Sequence, residues 1–217
     1  MNRVLHFKQN EDKKLHIVTD LHYNHNPKWP VPLWKMRGYS SVDEMNVDII
    51  TKINKQVGPD DYLLNLGDIS LNCSEDKFES LISQIVCRNI YLLWGNHNSP
   101  SWGIYQRELK KEFPILIEQE VYPFRYKNII FVGNYLEAVI DGQYCVFQHF
   151  PSTIWNNMSN GAVHGCGHSH YSFPNTREDY KEAKILDCSW DNIKRPYTFA
   201  EFMTIMNTKG IRKVDHH

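Results

Sequence analysis

The sequence predicts an α/β fold, a four-layer αββα sandwich in which two mixed sheets pack face to face and helices flank them. In the first half, short apolar runs alternate with amphipathic segments, as in parallel strands joined by crossover helices. In the second half, apolar runs follow one another across short turns, which is typical of hairpins. A chain of 217 residues can bury one sizeable core, so we expect a single domain over residues 1–217.

Three apolar runs in the first half are expected to form buried strands. They are "LHIVT" (15–19), "DYLLNLGD" (61–68) and "NIYLLWGNHN" (89–98), and each runs into polar residues or glycine. After the first run comes "LHYNHNPKWPVPLWKMRGYS", which contains three prolines and two tryptophans. We expect a long irregular loop there, and such loops in compact domains are often functional.

Two helices are expected between these strands. Ser41 is a suitable N-cap with Glu44 three residues later, as in a capping box, and apolar residues recur at helical spacing until Gly58. A second capped helix is expected over 74–86.

The second half begins with further strand-like runs. They are "NIIFVGN", "LEAVIDGQYCVFQHF" and "KILDCSW", and Asp141-Gly142 inside the second of them is a strong hairpin signal. Near the end, "TFAEFMTIMNTKG" predicts a helix that stops at a glycine.

The net charge, the cysteine spacing and the lack of long apolar segments exclude several classes of protein. The net charge is −1, which gives no electrostatic reason for bulk binding to nucleic acid or to membranes. The five cysteines lack paired spacing, as in a reduced intracellular protein. The N-terminus lacks a signal-peptide pattern, and no window approaches the ~18 apolar residues of a membrane span. We therefore expect a cytoplasmic protein without a membrane partner.

Polar side chains follow the ends of the strand-like runs. Because ligands in open α/β folds bind beyond the carboxyl ends of strands, these side chains could face one crevice. Their carboxylate, amide and imidazole groups suit Mn²⁺, Fe, Zn²⁺, Ni²⁺ or Co²⁺. They are too many for one tetrahedral ion but enough for two ions that share a carboxylate. The residues are Asp20, His22, Asp68, Asn96, His97, His149, His168 and His170.

The "GHSH" sequence at 167–170 places two of these histidines one residue apart. On an extended chain, alternation would point His168 and His170 to the same face. Gly165 and Gly167 would let the backbone come close beneath bound metals.

The blocks "DLH", "GD", "GNH", "H" and "GHSH", in this order, resemble the five motifs of the calcineurin-like metallophosphoesterases. The stretch "LDCSWDN … RPYTFAEF" resembles the tail of small bacterial and phage members. The resemblance implies two divalent metal ions and a hydroxide held between them as the nucleophile. It assigns one ion to Asp20, His22 and His170 and the other to Asn96, His149 and His168, with Asp68 as the bridge.

The resemblance also implies the reaction, which is hydrolysis of a phosphomonoester or phosphodiester bond in a small substrate, with a nucleotide-like substrate as one option. His97 would protonate the leaving-group oxygen or stabilise its charge. Asn98 stands where the family often has an acid, so it can only hydrogen-bond near His97. Two alternatives stay open: a DNA or RNA nuclease with the same site, and a catalytically silent metal-binding module that recognises a partner.

Several residues near these motifs could contact substrate. Arg37 could clamp a phosphate bidentately or lie solvated at a helix entry, and His25 could line the site. Trp29, Trp34 and Tyr39 could stack on a base, although packing within the loop is favoured. His164 is expected to be a structural residue of a sheet. Trp102 and Tyr105 could form a rim of the same pocket, although anchoring a helix start is favoured.

Overall fold

A computed structural model describes residues 4–26, 31–114, 121–173 and 182–213. These residues form two mixed β-sheets with flanking helices, which confirms the predicted fold class. The strands are β1 (Leu5–Phe7), β2 (Leu15–Val18), β3 (Tyr62–Asn65), β4 (Ile90–Leu93), β5 (Phe124–Tyr126), β6 (Ile129–Gly133), β7 (Tyr135–Ile140), β8 (Gln143–Gln148), β9 (Val163–Cys166), β10 (Ile185–Asp187) and β11 (Tyr197–Thr198). The helices are α1 (Leu33–Met36), α2 (Val42–Gln56), α3 (Glu75–Ile82), α4 (Ser101–Glu112), α5 (Trp190–Ile193) and α6 (Phe199–Asn207).

The first sheet has six strands in the order β11-β2-β3-β4-β6-β5. Its four central strands are parallel, and β11 and β5 pair antiparallel at the two edges. The second sheet has five strands in the order β1-β7-β8-β9-β10, and its only antiparallel pair among the described strands is the β7–β8 hairpin. That hairpin turns at Asp141-Gly142 as predicted, and both residues have positive φ, as a type I′ turn requires.

Alternate residues of the central strands bury their side chains on opposite faces of the six-stranded sheet. Ile17 and Leu64 point into a core shared with Phe147 of the other sheet and with α6. Val18 and Leu63 belong to a second core under α2, α3 and α4. Burial on both faces explains why these strands are continuous apolar runs in the sequence. The outer face of the five-stranded sheet is covered by a third cluster, which includes Trp155 and Met158.

Side-chain caps fix the starts of the predicted helices. Ser41 accepts a hydrogen bond from the backbone N–H of Glu44, and Ser74 caps α3 in the same way. The expected capping box at α2 is shifted, because the Glu44 carboxylate accepts from the backbone N–H of Ser40 instead of Ser41. A complete box occurs at α6, between Thr198 and Glu201. None of the described helices combines the length and the hydropathy that crossing a lipid bilayer requires.

Candidate metal centre

The parallel strands of the two sheets deliver seven side chains to one place. Asp20, Asp68 and Asn96 follow β2, β3 and β4, which are parallel neighbours in the six-stranded sheet. His22 also follows β2, and the other three positions follow adjacent parallel strands of the five-stranded sheet, His149 after β8 and the His168–His170 turn after β9. All seven predicted ligands therefore meet at the carboxyl ends of strands, where ligands of α/β folds bind.

The first ligand group consists of Asp20, His22 and His170. The Nε2 atoms of His22 and His170 lie 3.8 Å and 4.0 Å from Asp20 Oδ1. The two imidazoles are stacked with ring centroids 5.0 Å apart. One ligand atom of each residue lies within 4.8 Å of the others, so a single ion could contact all three.

The second ligand group consists of Asp68, Asn96, His149 and His168. Asn96 Oδ1 lies 3.1 Å from His149 Nε2 and 2.9 Å from His168 Nδ1. Asp68 Oδ2 lies 3.3 Å from the same nitrogen of His149. Four potential donors thus converge on one point, with oxygen and nitrogen in equal number.

Asp68 connects the two groups through one oxygen atom. Its Oδ2 lies 3.6 Å from His22 Nε2 in the first group and 3.3 Å from His149 Nε2 in the second. A carboxylate in this position can contact two adjacent ions. The geometry has the form expected of a bridging ligand.

Five of the seven ligand positions have a left-handed backbone conformation. The φ angles of Asp20, His22, Asp68, His168 and His170 lie between 47° and 71°. Residues with a β-carbon rarely adopt this region, and such strain is concentrated at functional sites. The "GHSH" segment is therefore a turn that follows β9, and the expectation that His168 and His170 face alike through extended alternation was wrong. The turn directs them to different ligand groups.

Close backbone approaches require glycine at two positions beside the ligands. A β-carbon at Gly95 would overlap Asp68 Oδ1, and one at Gly167 would lie 2.7 Å from Asp20 Oδ2. The expectation for Gly167 is thus met. The same expectation for Gly165 was wrong, because a β-carbon there would meet the Phe147 ring in the core between the sheets.

The buried imidazole of His22 fits a metal ligand. Among the described residues neither of its ring nitrogens has a hydrogen-bond partner, although the residue is 2% exposed. Burial lowers the pKa of His22 well below its ordinary value, so the ring is neutral at pH 7. A neutral imidazole with a free nitrogen aimed at two carboxylates is what a divalent cation requires.

The two buried carboxylates have different protonation behaviour. Burial raises the pKa of Asp20 to about 6, although the nearby His149 and His170 partly offset it. Burial acts in the same direction on Asp68, but the hydrogen bond with His149 and the backbone N–H of His97 outweigh it and lower the pKa to about 2. Two acids at 0% and 2% exposure next to each other are an unfavourable arrangement that bound cations would relieve.

His97 and His25 border the site without belonging to either ligand group. The backbone N–H of His97 donates to Asp68 Oδ1 at 2.8 Å, and its half-buried ring lies 5.5 Å from that of His22. The ring of His25 packs edge-on against His22 at 5.4 Å, and its Nδ1 accepts from the backbone of Leu33. Both residues therefore lie beside the ligand groups, and substrate roles for His97 and His25 stay predictions.

Arg37 does not offer a free guanidinium to a substrate phosphate, which corrects that expectation. Its side chain is 2% exposed and forms a bidentate pair with Asp191, with Nε–Oδ1 and Nη2–Oδ2 distances of 2.8 Å and 2.7 Å. It also donates to the backbone carbonyls of Asp20 and Leu21 and to the Met45 sulfur. These buried partners occupy the donors that a phosphate clamp would need.

Sequence reasoning missed two acids in the "LDCSWDN" segment. Asp191 Oδ2 lies 2.7 Å from His170 Nδ1, and hydrogen bonds from His170 and Arg37 outweigh burial and hold the pKa of Asp191 below its usual range. Asp187 accepts from Ser169 Oγ and from the backbone of Tyr171, inside the "GHSH" turn and just after it. The signal that could have found them is two carboxylates placed at and after a strand end, as at Asp20.

Two of the three aromatic residues that could stack on a base, Trp34 and Tyr39, lie in the described part of the loop after β2, and both hydrogen-bond to other residues of the protein. Trp34 donates to Asn26 and Tyr39 donates to Asp48, while Trp29 lies outside the described residues. Tyr105 lies on α4, where it is buried and packs with Trp102, as expected for structural residues. His164 lies in β9 with its ring bonded to backbone groups, as expected.

A cavity of about 620 Å³ opens beside Asn96. Among the described residues its lining contains no lysine or arginine, and its carboxylate Glu75 is paired with Arg107. The remaining walls are uncharged amide, hydroxyl, thiol and indole groups. They come from Cys73, Ser74, Trp94, Asn98, Ser99, Trp102 and Asn134.

Comparison with known proteins shows similarity in sequence and in fold. A sequence model of the calcineurin-like phosphoesterases matches residues 13–199. An uncharacterized protein of Methanocaldococcus jannaschii is 28% identical over 86 residues, which are 40% of this chain and 47% of that protein, so the match spans about half of the relative. The crystal structure of a protein of unknown function from Aquifex aeolicus has a TM-score of 0.59 at 17% identity, covers 89% of this chain and 99% of its own, and supports the fold.

Proposed function

The chain belongs to the family of calcineurin-like phosphoesterases, and on this premise we propose that it hydrolyses phosphoester bonds with two divalent metal ions. The observation that supports two ions is the position of Asp68 Oδ2, which faces His22 on one side and His149 on the other. The donor set of carboxylate, amide and imidazole groups is compatible with Mn²⁺, Fe, Zn²⁺, Ni²⁺ or Co²⁺.

Each ligand group would bind one of the two ions. Asp20, His22 and His170 would hold one ion, Asn96, His149 and His168 the other, and Asp68 both. When bound, such a pair of ions supplies Lewis acidity toward the phosphoryl oxygens and lowers the pKa of a coordinated water.

His97 is proposed as the proton donor to the leaving-group oxygen. The ring is half-buried at the edge of the first ligand group and lies outside both sets of ligands, which leaves its nitrogens free for substrate. Its backbone N–H is held by Asp68, so the residue keeps a fixed place relative to the bridging carboxylate. A positioned general acid of this kind contributes ~10²–10⁴-fold to the rate.

The substrate is proposed to be a small phosphoester with an uncharged organic group. The cavity beside Asn96 supports this choice, because it adjoins the second ligand group and its lining lacks an unpaired cation for a further phosphate. Its indole and amide groups suit a flat ring with hydrogen-bonding edges, as in a nucleotide. The net charge of −1 makes a long nucleic-acid strand the less favoured substrate.

A substrate panel with added Mn²⁺ tests the proposal. We expect turnover of p-nitrophenyl monoesters or diesters and of small nucleotides, little cutting of single-stranded DNA, and no turnover by Asp68→Asn. The variant excludes a contaminating phosphatase, because only the bridging charge is removed. Absence of turnover on every phosphoester by a wild-type protein that binds two ions would favour the silent binding module. Salt-sensitive cutting of DNA as the main activity would favour the nuclease.

A further inference from the structure

A partly buried chain of polar contacts reaches the first ligand group from the distant "SWDN" segment. It runs from His170 through Asp191 to Arg37 and ends on the backbone of Asp20 and Leu21. We propose that Asp191 and Arg37 are positioning residues for the first of the two metal ions. The inference rests on the proposed two-metal site and goes beyond it, because neither residue is a ligand.

The Asp191 carboxylate sets the orientation of His170. The distance of 2.7 Å between Oδ2 and Nδ1 requires that Nδ1 carries the hydrogen, because a carboxylate can only accept. In the neutral ring this leaves Nε2 as the free nitrogen, which faces Asp20 Oδ1 at 4.0 Å on the side of the first ligand group. Histidine ligands are commonly oriented in this way, by donating their other N–H to a carboxylate.

The Arg37 guanidinium fixes both the carboxylate and the turn that carries the other ligands. Its fork holds the two oxygens of Asp191, which is 19% exposed and needs a charged partner. Its Nη2 and Nη1 also donate to the carbonyls of Asp20 at 2.7 Å and Leu21 at 3.0 Å. Since Asp20 has a left-handed φ of 58°, these bonds help to hold a conformation that the local chain disfavours.

Among the described contacts the second ligand group does not touch this pair, and the backbone N–H of His168 connects it to the first group by donating to the Asp20 carboxylate. His149 is oriented by the backbone carbonyl of Leu66, which accepts from Nδ1 at 3.1 Å, and His168 contacts Asn96. Loss of the Asp191 carboxylate should therefore weaken the binding of one ion and leave the binding of the other nearly unchanged. General loss of structure would weaken both, which gives the proposal a signature of its own.

The test is Mn²⁺ binding to the metal-free full chain, measured by calorimetry and by the electron paramagnetic resonance of the bound ions. For wild type we expect two ions. Asp191→Asn should lower the affinity for one ion by about 10–100-fold and leave the affinity for the other close to its wild-type value. A loss of this size is usual when the residue that orients a histidine ligand is removed. Asp48→Asn is the matched control, because Asp48 also accepts from a cation and a hydroxyl but contacts no ligand.

Arg37→Lys is the second variant. It keeps the positive charge but cannot form the two parallel hydrogen bonds that the guanidinium makes with Asp191. It should lower the affinity for the same ion as Asp191→Asn does. Circular dichroism and thermal unfolding verify that each variant is folded. Equal weakening of both ions, unchanged binding, or fewer than two ions in wild type would overturn the proposal. Two ions in wild type without turnover would refute the hydrolase function alone, since the positioning role is judged from affinities.

Discussion

Among the histidines of the site, His97 has a distinct environment. Its ring is half-buried and belongs to neither ligand group, and its only contact with the bridging carboxylate among the described bonds is through the backbone N–H. Removing the imidazole therefore leaves the hydrogen bond to Asp68 in place. A residue in this position can affect the proton at the leaving group without holding the ions.

His97→Ala should retain both metal ions and lose about 10²–10⁴-fold in kcat on esters with poor leaving groups such as alkyl phosphates. The loss should be smaller on p-nitrophenyl esters, whose leaving group needs little protonation. Metal content and steady-state kinetics on the two kinds of ester measure this difference. Loss of the ions in the variant would show instead that His97 is required for the metal centre.

The candidate metal ligands were easier to predict than the residues that contact those ligands. Asp20 and Asp68 directly follow apolar runs, so strand ends and short motifs were enough to identify them. Arg37 was assigned to substrate because a lone arginine near a loop offers no sign of its partner. That partner, Asp191, lies 154 positions away, and only the tertiary fold brings the two together.

At the scale of elements, the turns after the strands determine where the ligands lie. Gly95, in the turn after β4, packs so closely on Asp68 that a β-carbon would overlap Oδ1. The turn after β4 and the turn after β3 are therefore fitted to each other through a glycine. Any side chain at this position must displace the bridging carboxylate.

Gly95→Ala should lower Mn²⁺ content and turnover together, with a loss comparable to that of Asp68→Asn. Gly58→Ala is a suitable control, because the added β-carbon would make an ordinary contact of 3.4 Å with Asp61 at a position remote from the ligands. Metal analysis and kinetics on both variants test the expectation. A Gly95→Ala protein with full metal content would show that the turn adjusts at little cost.

Buried apolar strands and capped helices could be predicted, whereas three short strands could not. The strands β2, β3 and β4 are apolar because both faces are buried, and α2, α3 and α6 carry caps that the sequence displays. The strands β1, β5 and β11 have two or three residues each, too few to show a period. Their pairing is decided by neighbours in space.

At the scale of the whole molecule, the proposed ions would join the two sheets. Asp20, Asp68 and Asn96 come from the six-stranded sheet, whereas His149 and His168 come from the five-stranded sheet. Buried acids and neutral imidazoles that face each other without cations are costly for the folded state. Metal binding should therefore contribute to stability as well as to chemistry.

Saturating Mn²⁺ should raise the thermal unfolding temperature of the whole chain. A ligand at about 100 times its Kd stabilises a protein by ~2.7 kcal/mol, and each kcal/mol shifts Tm by ~2–4 °C for a chain of this size. For two such ions the stabilisation is about twice as large, so we expect a rise of roughly 11–22 °C that excess chelator reverses, measured by scanning calorimetry. Asp68→Asn should show a much smaller rise, because it lacks the charge that both ligand groups share. Equal Tm values with and without Mn²⁺ in wild type would mean that the two sheets are not linked by metal.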